Sequence, residues 1–548
     1  MKFLRFLMWP IVLLPALAAF VWTGFAARLP ETIAQRQALG EATMKWSLAE
    51  LPSFHHEPTQ YVARALHLAA LHVPGSSFWW SAAVNALLAL LLVFALAGVA
   101  RRAFGLGAGA QATALGLFGL LACSPAFGAD WLHGARLGVF LVPLLLACGL
   151  WLLLGERRFA GRALLALLLA ALAPQCHSNG VLVFVALAPS LLEAARRAGG
   201  GRGVGWIVAL LLVGNLAAIA SLHTAGGLAL GDSGLLGRLL EAPAAALREL
   251  LHATGTAWLD PLPQTDHDEL ALGAASWLAP LLLWWIGDRS APARRAAAPF
   301  WGCLWFGLLL FVLAAERHGA DFGGAALRER TYGAFLLPVG CLGVLAARFG
   351  AGLVPFAAGM LAVLAVQDWY RGIEDLRLAR HAADRRQMQA FLPTTQGGEP
   401  WTNPDEWRGL QALGWVPPGD GGFAADLQRL GSAEVAPTAG ALLGGDARHV
   451  HGVVRSSLTR DTVTAVVVEA VLDERDRVAD PRAGVLAVVV PDGAGHGRNV
   501  PWSARLPERL ADGTRLAAFG YRLRSGTFVR LGPVFEVRDG TLQPIDGG

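Results

Sequence analysis

Charge is scarce in this chain. Of its 548 residues, 16% are Asp, Glu, Lys or Arg, where a soluble domain carries about 25%. Lysine is almost missing: Lys2 and Lys45 are the only two, so arginine carries the positive charge. We read that bias as one of codon usage rather than chemistry. Cysteine is sparse too. Cys123, Cys148, Cys176, Cys303 and Cys341 lie in or beside apolar segments, none lies in the last third, and no CxxC occurs. That excludes a disulfide framework in the last third and argues against the thiol-redox and zinc-ribbon classes. The P-loop, GxSxG and HExxH signatures are also missing, as is any solenoid-type repeat. The net charge is +4, but the arginines are dispersed between apolar runs rather than gathered on one patch, which argues against a nucleic-acid partner.

What is abundant is apolar surface. Hydrophobic residues make up 54% of the chain, and mean hydropathy is +0.46. These residues fall in long runs, and about 20 apolar residues at 1.5 Å each span a hydrocarbon layer of about 30 Å. Eleven spans are expected, at approximately 4–26, 78–100, 109–127, 136–154, 161–175, 179–195, 204–222, 271–287, 297–315, 333–348 and 351–367. The fold expectation is an α-helical polytopic membrane protein with a small all-β soluble domain at its C-terminus. The fifth and sixth spans are short and joined by Pro174-Gln175-Cys176-His177-Ser178, which suits two tilted helices or one re-entrant pair.

Arginine placement gives the orientation. Arg101 and Arg102, then Arg157, Arg158 and Arg162, then Arg196, Arg197 and Arg202, then Arg289, Arg294 and Arg295, and finally Arg348 all follow even-numbered spans. Short basic loops mark the cytoplasmic side. The expectation is a multi-pass protein of the inner (cytoplasmic) membrane, with its N-terminus cytoplasmic and its C-terminal domain extracytoplasmic. The first run carries Ala16-Leu17-Ala18, which has the form of a cleavage site. The run continues past it, so a retained anchor is preferred.

Three regions follow: residues 1–370 as the multi-span part, 371–444 as an amphipathic helix and a Gly/Pro-rich linker, and 445–548 as the β-rich domain. The multi-span part has outer loops at 27–77, 223–270 and 316–332. Loop 223–270 alternates leucines with Arg238, Glu241, Arg248 and Glu249, the pattern of a helix lying in the membrane interface, broken or kinked at Pro243. Strands are expected near 462–468, 484–490, 515–521 and 528–531, where β-branched and alternating runs are separated by turns such as Pro491-Asp492-Gly493.

Polar groups near a bilayer are costly and are therefore candidates for function. In the first loop, His55 and His56 precede Glu57; the acid has the chemistry of a general base or a divalent-cation ligand. The alternative is a capped helix start, with Pro58 in the first turn. Between the third and fourth spans, Asp130, His133 and Arg136 are three apart and would share a helix face. The alternative there is an Asp cap with Arg136 snorkelling. His177 sits in the hinge between the two short spans, and Arg328, Arg330 and Tyr332 precede the tenth. Paired arginines can hold a phosphate or can simply anchor the interface beside an aromatic ring. The acidic run Asp266-His267-Asp268-Glu269 fits no ligand spacing and reads as a solvated loop. No metal site is assigned.

Three stretches carry a resemblance. Ser124-Pro125 through Asp130-Trp131-Leu132-His133-Gly134, then Glu329-Arg330-Thr331-Tyr332 with Pro338 and Gly340, and the short helix pair at 161–195 occur in this order. Together they resemble the GT-C superfamily of polytopic glycosyltransferases, in particular the transmembrane O-mannosyltransferase-like group. The resemblance covers roughly residues 1–370 and does not reach the tail. It departs where the family has Arg and this chain has Ala135, where the family has Lys-Glu and this chain has Cys176-His177-Ser178, and in having no Asp before Asp130.

The resemblance implies transfer of a sugar from a polyprenyl-phosphate donor to an acceptor at the outer face. Glu57 or Asp130 would act as the base, Arg136 or Arg330 would offset charge on the departing lipid phosphate, and His55, His56, His133, His177, Arg328 and Tyr332 would line the substrate site. The departures suit a second reading, a non-catalytic scaffold or anchor displaying the β domain. A transporter is the third reading, set back by the few ionisable residues at mid-span and the lack of an inverted repeat.

Overall fold

The computed structural model describes residues 78–127, 137–155, 159–198, 239–259, 266–286, 290–318, 332–350, 354–391, 438–455, 463–471, 485–489, 499–506, 509–522 and 527–545, with isolated residues and single turns between them. The chain divides into two compact units, and the boundary falls between Ile373 and Glu374.

The first unit is helical. Its described helices are α1 (Phe78–Phe104), α2 (Ala108–Ala122), α3 (Leu137–Leu153), α4 (Phe159–Leu172), α5 (Leu182–Arg197), α6 (Pro243–Leu259), α7 (Asp266–Ile286), α8 (Ala291–His318), α9 (Leu336–Phe349) and α10 (Val354–Phe391). Among the described residues four stretches are long and apolar enough to cross a membrane: Ala83–Phe104, Ala108–Phe127, Ser178–Arg197 and Ala291–Ala314. Five more apolar helices are shorter. Of the first and seventh expected spans only fragments are described, the longest at 17–21 and 213–216.

Sequence explains the helix ends. α1 is apolar until Arg101 and Arg102 in its last turn. It stops at Gly105, which takes φ +64 and donates its N–H back to Arg101 O at 2.8 Å, a left-handed closure open to glycine. α3 is apolar on every side and sits centrally, packed against α1, α4 and α5. A helix without a polar face must be enclosed by protein or lipid. α8 and α9 cross closely. Cβ atoms built on Gly307 and Gly340 would lie 2.6 Å from Leu337 N and Leu304 Cα respectively. Small residues at such crossings let backbones approach, the usual means of helix association in lipid.

Pro243 begins α6 after a break at Ala242. α6 then buries Ala246, Leu250 and Thr254, four apart, against Trp277 of α7 and Phe311 and Val312 of α8. It is thus a packed helix as well as an amphipathic one. α10 does not end where its apolar stretch ends, near Tyr370; it runs on as one helix to Phe391. Residues 371–391, rich in Arg, Ala, Leu and Gln, retain high helix propensity despite their charge.

The β region of the second unit holds two sheets. The larger has strand order β1-β8-β7-β4-β5, with β9 on β7 and β10 on β9; the smaller is β2-β3-β6. The strands are β1 (Glu434–Val435), β2 (Gly440–Gly445), β3 (His449–Arg455), β4 (Val463–Ala470), β5 (Val485–Val489), β6 (Asn499–Arg505), β7 (Arg515–Arg522), β8 (Thr527–Arg530), β9 (Phe535–Arg538) and β10 (Thr541–Pro544). All pairings are antiparallel except β1 with β8. The sheets begin at Glu434, so two strands lie within the Gly/Pro-rich stretch expected to be irregular.

The inner faces meet in one core: Val450, Val454 and Trp502 from the small sheet, with Val466, Val468, Leu516 and Ala518 from the large one. β3 alternates buried and exposed residues, so His449 and His451 point to solvent on the outer face. β4 and β7 are buried on both faces, and Ala465, Val467, Phe519, Tyr521 and Phe528 form a second cluster. In the small sheet the Trp502 ring lies across Gly452, where a Cβ would come within 2.6 Å of it.

Candidate functional site

Polar and aromatic side chains gather at one end of the helical unit. The chain leaves α2 at Cys123, and Pro125–Phe127 form a 3-10 turn. Ser124 Oγ accepts from Ala126 N at 3.2 Å and donates to Asp368 Oδ2 at 2.6 Å. The next residue on α10, Trp369, donates its indole N–H to Leu120 O at 2.6 Å, satisfying a carbonyl in the last turn of α2 that the helix itself leaves open. One turn after Asp368 is Gly372, where any side chain would strike the backbone of Pro125 and Ala126. α10 is therefore fastened to this turn by an acid, an indole and a missing side chain.

Trp131 enters the same end from the other side. It is 1% exposed, donates Nε1–H to Ser124 O at 3.0 Å, and accepts at its carbonyl from Asn85 Nδ2 of α1 at 3.4 Å. Its ring lies 5.0 Å from Phe140 and 6.2 Å from Tyr332, centroid to centroid. Tyr332, just ahead of α9, lies 4.1 Å from Phe140, 5.3 Å from Phe127 and 5.4 Å from Phe335. These tilted and edge-on contacts are the favoured aromatic geometries. Beside them is a small cavity of about 60 Å³, lined by Leu121, Phe127, Phe335, Pro338, Leu364 and Asp368.

His177 occupies the turn between α4 and α5. Its Nδ1 accepts from Asn179 N at 3.1 Å, capping a 3-10 turn at 178–181. That role puts the ring proton on Nε2. The turn is tight: a Cβ on Gly180 would strike the backbone of Ala173 and Pro174. The two helices of this pair are thus separate elements joined by a built hinge.

Of the ten residues the sequence singles out, Tyr332 and His177 are described. Tyr332 is buried at 1% exposure, with its ring enclosed by aromatic neighbours. His177 is half-buried. Glu57, His55, His56, Asp130, His133, Arg136, Arg328 and Arg330 lie outside the described residues. Their sequence neighbours are placed, however. Trp131 follows Asp130, Tyr332 stands two after Arg330, and these two rings share one cluster. Among the described residues no group of three or more His, Cys, Asp or Glu could hold a metal ion.

Sequence reading passed over Asp368 and Asn85. Each has a local signal, an acid closing an apolar run and an amide inside one. The Ser124–Asp368 bond joins residues 244 apart in the chain, and no local pattern announces it.

The opposite end is basic. Arg102 donates to Trp151 O at 3.0 Å and stacks 3.6 Å over that indole. Arg197 donates to Leu153 O at 2.9 Å. Glu193 of α5 lies 3.7 Å from Arg196 and 3.9 Å from Arg294 of α8. Arginines from three different connections thus meet at this end, as expected if those connections share one side of a membrane.

No family model, curated protein or solved structure matches this chain.

Proposed function

We propose that the chain is a multi-span protein of the cytoplasmic membrane that transfers a sugar from a polyprenyl-phosphate donor to an acceptor at the outer face. On this reading it has eleven spans, the arginine end faces the cytoplasm, and the β domain is extracytoplasmic. Membrane embedding is supported by the surface of the helical unit. Leu164 and Leu168 on α4, Leu281 and Trp285 on α7, and Phe356, Val363 and Val366 on α10 are more than half exposed. Large apolar side chains over whole helix faces need a cover, and a bilayer supplies it.

The observation that carries the enzymatic reading is the meeting of Trp131, Tyr332 and Ser124–Asp368 at one end. Two of the motif stretches that resemble the GT-C pattern, far apart in sequence, contribute to a single cluster there. In the proposed reaction Asp130 or Glu57 takes the acceptor hydroxyl proton as the oxygen attacks the anomeric carbon. The bond from that carbon to the donor phosphate breaks, and Arg136 or Arg330 offsets the charge on the departing phosphate. His55, His56, His133, His177 and Arg328 supply polar contacts to the substrates.

The test is turnover of polyprenyl-phosphate sugars by the full-length protein in lipid, compared with Asp130→Ala and Glu57→Ala. Loss of a general base lowers turnover by about 10²–10⁴-fold, so one variant should lose that much with its fold intact. A second reading is a scaffold displaying the β domain. It is favoured by the departures from the family pattern at Ala135 and at Cys176-His177-Ser178. Absence of turnover across a panel of donors, with donor binding unchanged in both variants, would establish that reading instead.

A further inference from the structure

A groove of about 780 Å³ opens at the arginine end, between α5, α7, α8 and α9. Its size lies in the range of ligand clefts, roughly 300–1,000 Å³. One wall is apolar and aromatic, with Leu281, Trp284, Trp301 and Trp305. The charged end holds Arg196, Arg294, Arg348 and Glu193. Glu193 is buried, with its side chain 9% exposed, and it lies between Arg196 and Arg294, whose side chains are 59% and 45% exposed. Among the described lining residues one carboxylate, Glu193, stands with three guanidiniums, Arg196, Arg294 and Arg348.

From this geometry we infer that the groove holds an anionic phospholipid of the cytoplasmic leaflet, its phosphate on Arg196 and Arg294 and its acyl chains along the tryptophan wall. Guanidiniums match phosphate oxygens two donors at a time. Indoles favour the level where headgroup meets chain. Basic pockets between spans on the cytoplasmic side suit acidic headgroups. A soluble anion would use the arginines and leave the apolar wall bare, whereas a zwitterionic lipid would use the wall and bring an ammonium toward the arginines. The phosphate bearing two acyl chains and no cationic headgroup satisfies both parts. The inference rests on membrane embedding and is independent of sugar transfer.

The test uses full-length protein extracted from membranes, titrated with phosphatidylglycerol or phosphatidylcholine and read by native mass spectrometry. Each arginine facing an acidic lipid contributes about fivefold in affinity, so the double variant Arg196→Gln, Arg294→Gln should lose roughly 20-fold for phosphatidylglycerol. Its affinity for phosphatidylcholine, whose ammonium offsets its phosphate at the arginines, should change far less. Both arginines are well exposed, but their loss leaves the buried Glu193 carboxylate without these countercharges, so the same double variant carrying Glu193→Gln is titrated beside it and both are checked against wild type by thermal inactivation. Arg101→Gln, at the exposed end of α1, controls for general surface charge and should bind like wild type. Equal affinity of the wild type for the two lipids would overturn the inference, as would an equal loss in Arg101→Gln. Displacement of phosphatidylglycerol by equimolar inorganic phosphate would overturn it in favour of a soluble anion. In either case recovery of the protein from the membrane fraction would leave embedding standing, so the two failures are distinguishable.

Discussion

Replacing Gly340 by alanine sets two effects of known sign against each other. Alanine is favoured over glycine inside a helix by about 1 kcal/mol. Gly340, however, faces α8 so closely that its new Cβ would sit 2.6 Å from Leu304 Cα and nearer still to Leu304 N, where ordinary contact begins at 3.4 Å. The obstacle is backbone, with Leu304 N nearest, so reaching ordinary contact parts the helices by about 1 Å. Separation at this point also disturbs Gly307 against Leu337 on the facing surface. Overpacking of this kind costs about 1–3 kcal/mol, and a backbone obstacle belongs at the upper end. The net expectation is a loss of about 2 kcal/mol. Gly116 in α2 and Gly359 in α10 provide the opposite case, since a Cβ there meets nothing within 4 Å. Alanine at either should be neutral or stabilising by up to about 1 kcal/mol. Thermal inactivation of the three variants in the same detergent, followed by size exclusion, gives the ranking. If Gly340→Ala survives as well as Gly116→Ala, the close crossing of α8 and α9 is wrong.

Two further predictions concern polar contacts. Ser124→Ala removes an O–H donor from Asp368 and should lower stability by about 1 kcal/mol, with faster amide exchange at Ala126 and Phe127 after α2 and around residue 370; unchanged exchange in both segments would argue against the fastening. In the β unit, Asp446 Oδ1 accepts from the N–H groups of Arg448 and His449, both at 2.7 Å, and these bonds hold its carboxyl below the usual carboxylate range. A lowered folded-state value means the contribution is complete above the unfolded value near 3.9 and is lost as pH falls through the folded one. Asp446→Ala should therefore loosen the β2–β3 hairpin at pH 7, and wild type and variant should begin to converge as pH falls below about 4, meeting only below the lowered folded-state value. An exchange difference that persists undiminished at low pH would refute that assignment.

The sequence carried the larger outlines of this fold. Apolar runs mark α1, α2 and α8 because hydrocarbon length and helix rise set the same count of about 20 residues. The strands at 463–470 and 515–522 stand out because both faces of β4 and β7 are buried and call for Val, Ala and Phe. The strands that pass unnoticed have other chemistry. β2 reads Gly-Ala-Leu-Leu-Gly-Gly and β6 contains Pro501 and Ser503, neither of which advertises a strand. His449 and His451 suggest no site in the sequence, and their spacing of two is that of the solvent face of β3. The continuation of α10 past Tyr370 is concealed because charge suggests a boundary, whereas helix propensity sets no stop there. At the candidate site, motif spacing singles out the turns around Asp130 and Tyr332, but only folding brings Asp368 to Ser124 and Trp131 to Tyr332.

The composition of the basic end has a consequence for regulation. Every cation described there is a guanidinium, and neither lysine of the chain falls among them. A guanidinium keeps its proton at any pH a cell reaches and offers no amine for acetylation. Among the described residues the positive charge of these side chains is therefore a constant of the protein. Acidification or amine modification cannot dial it down, so if the groove holds the lipid proposed above, control over its occupancy would come through the amount and type of acidic lipid in the leaflet.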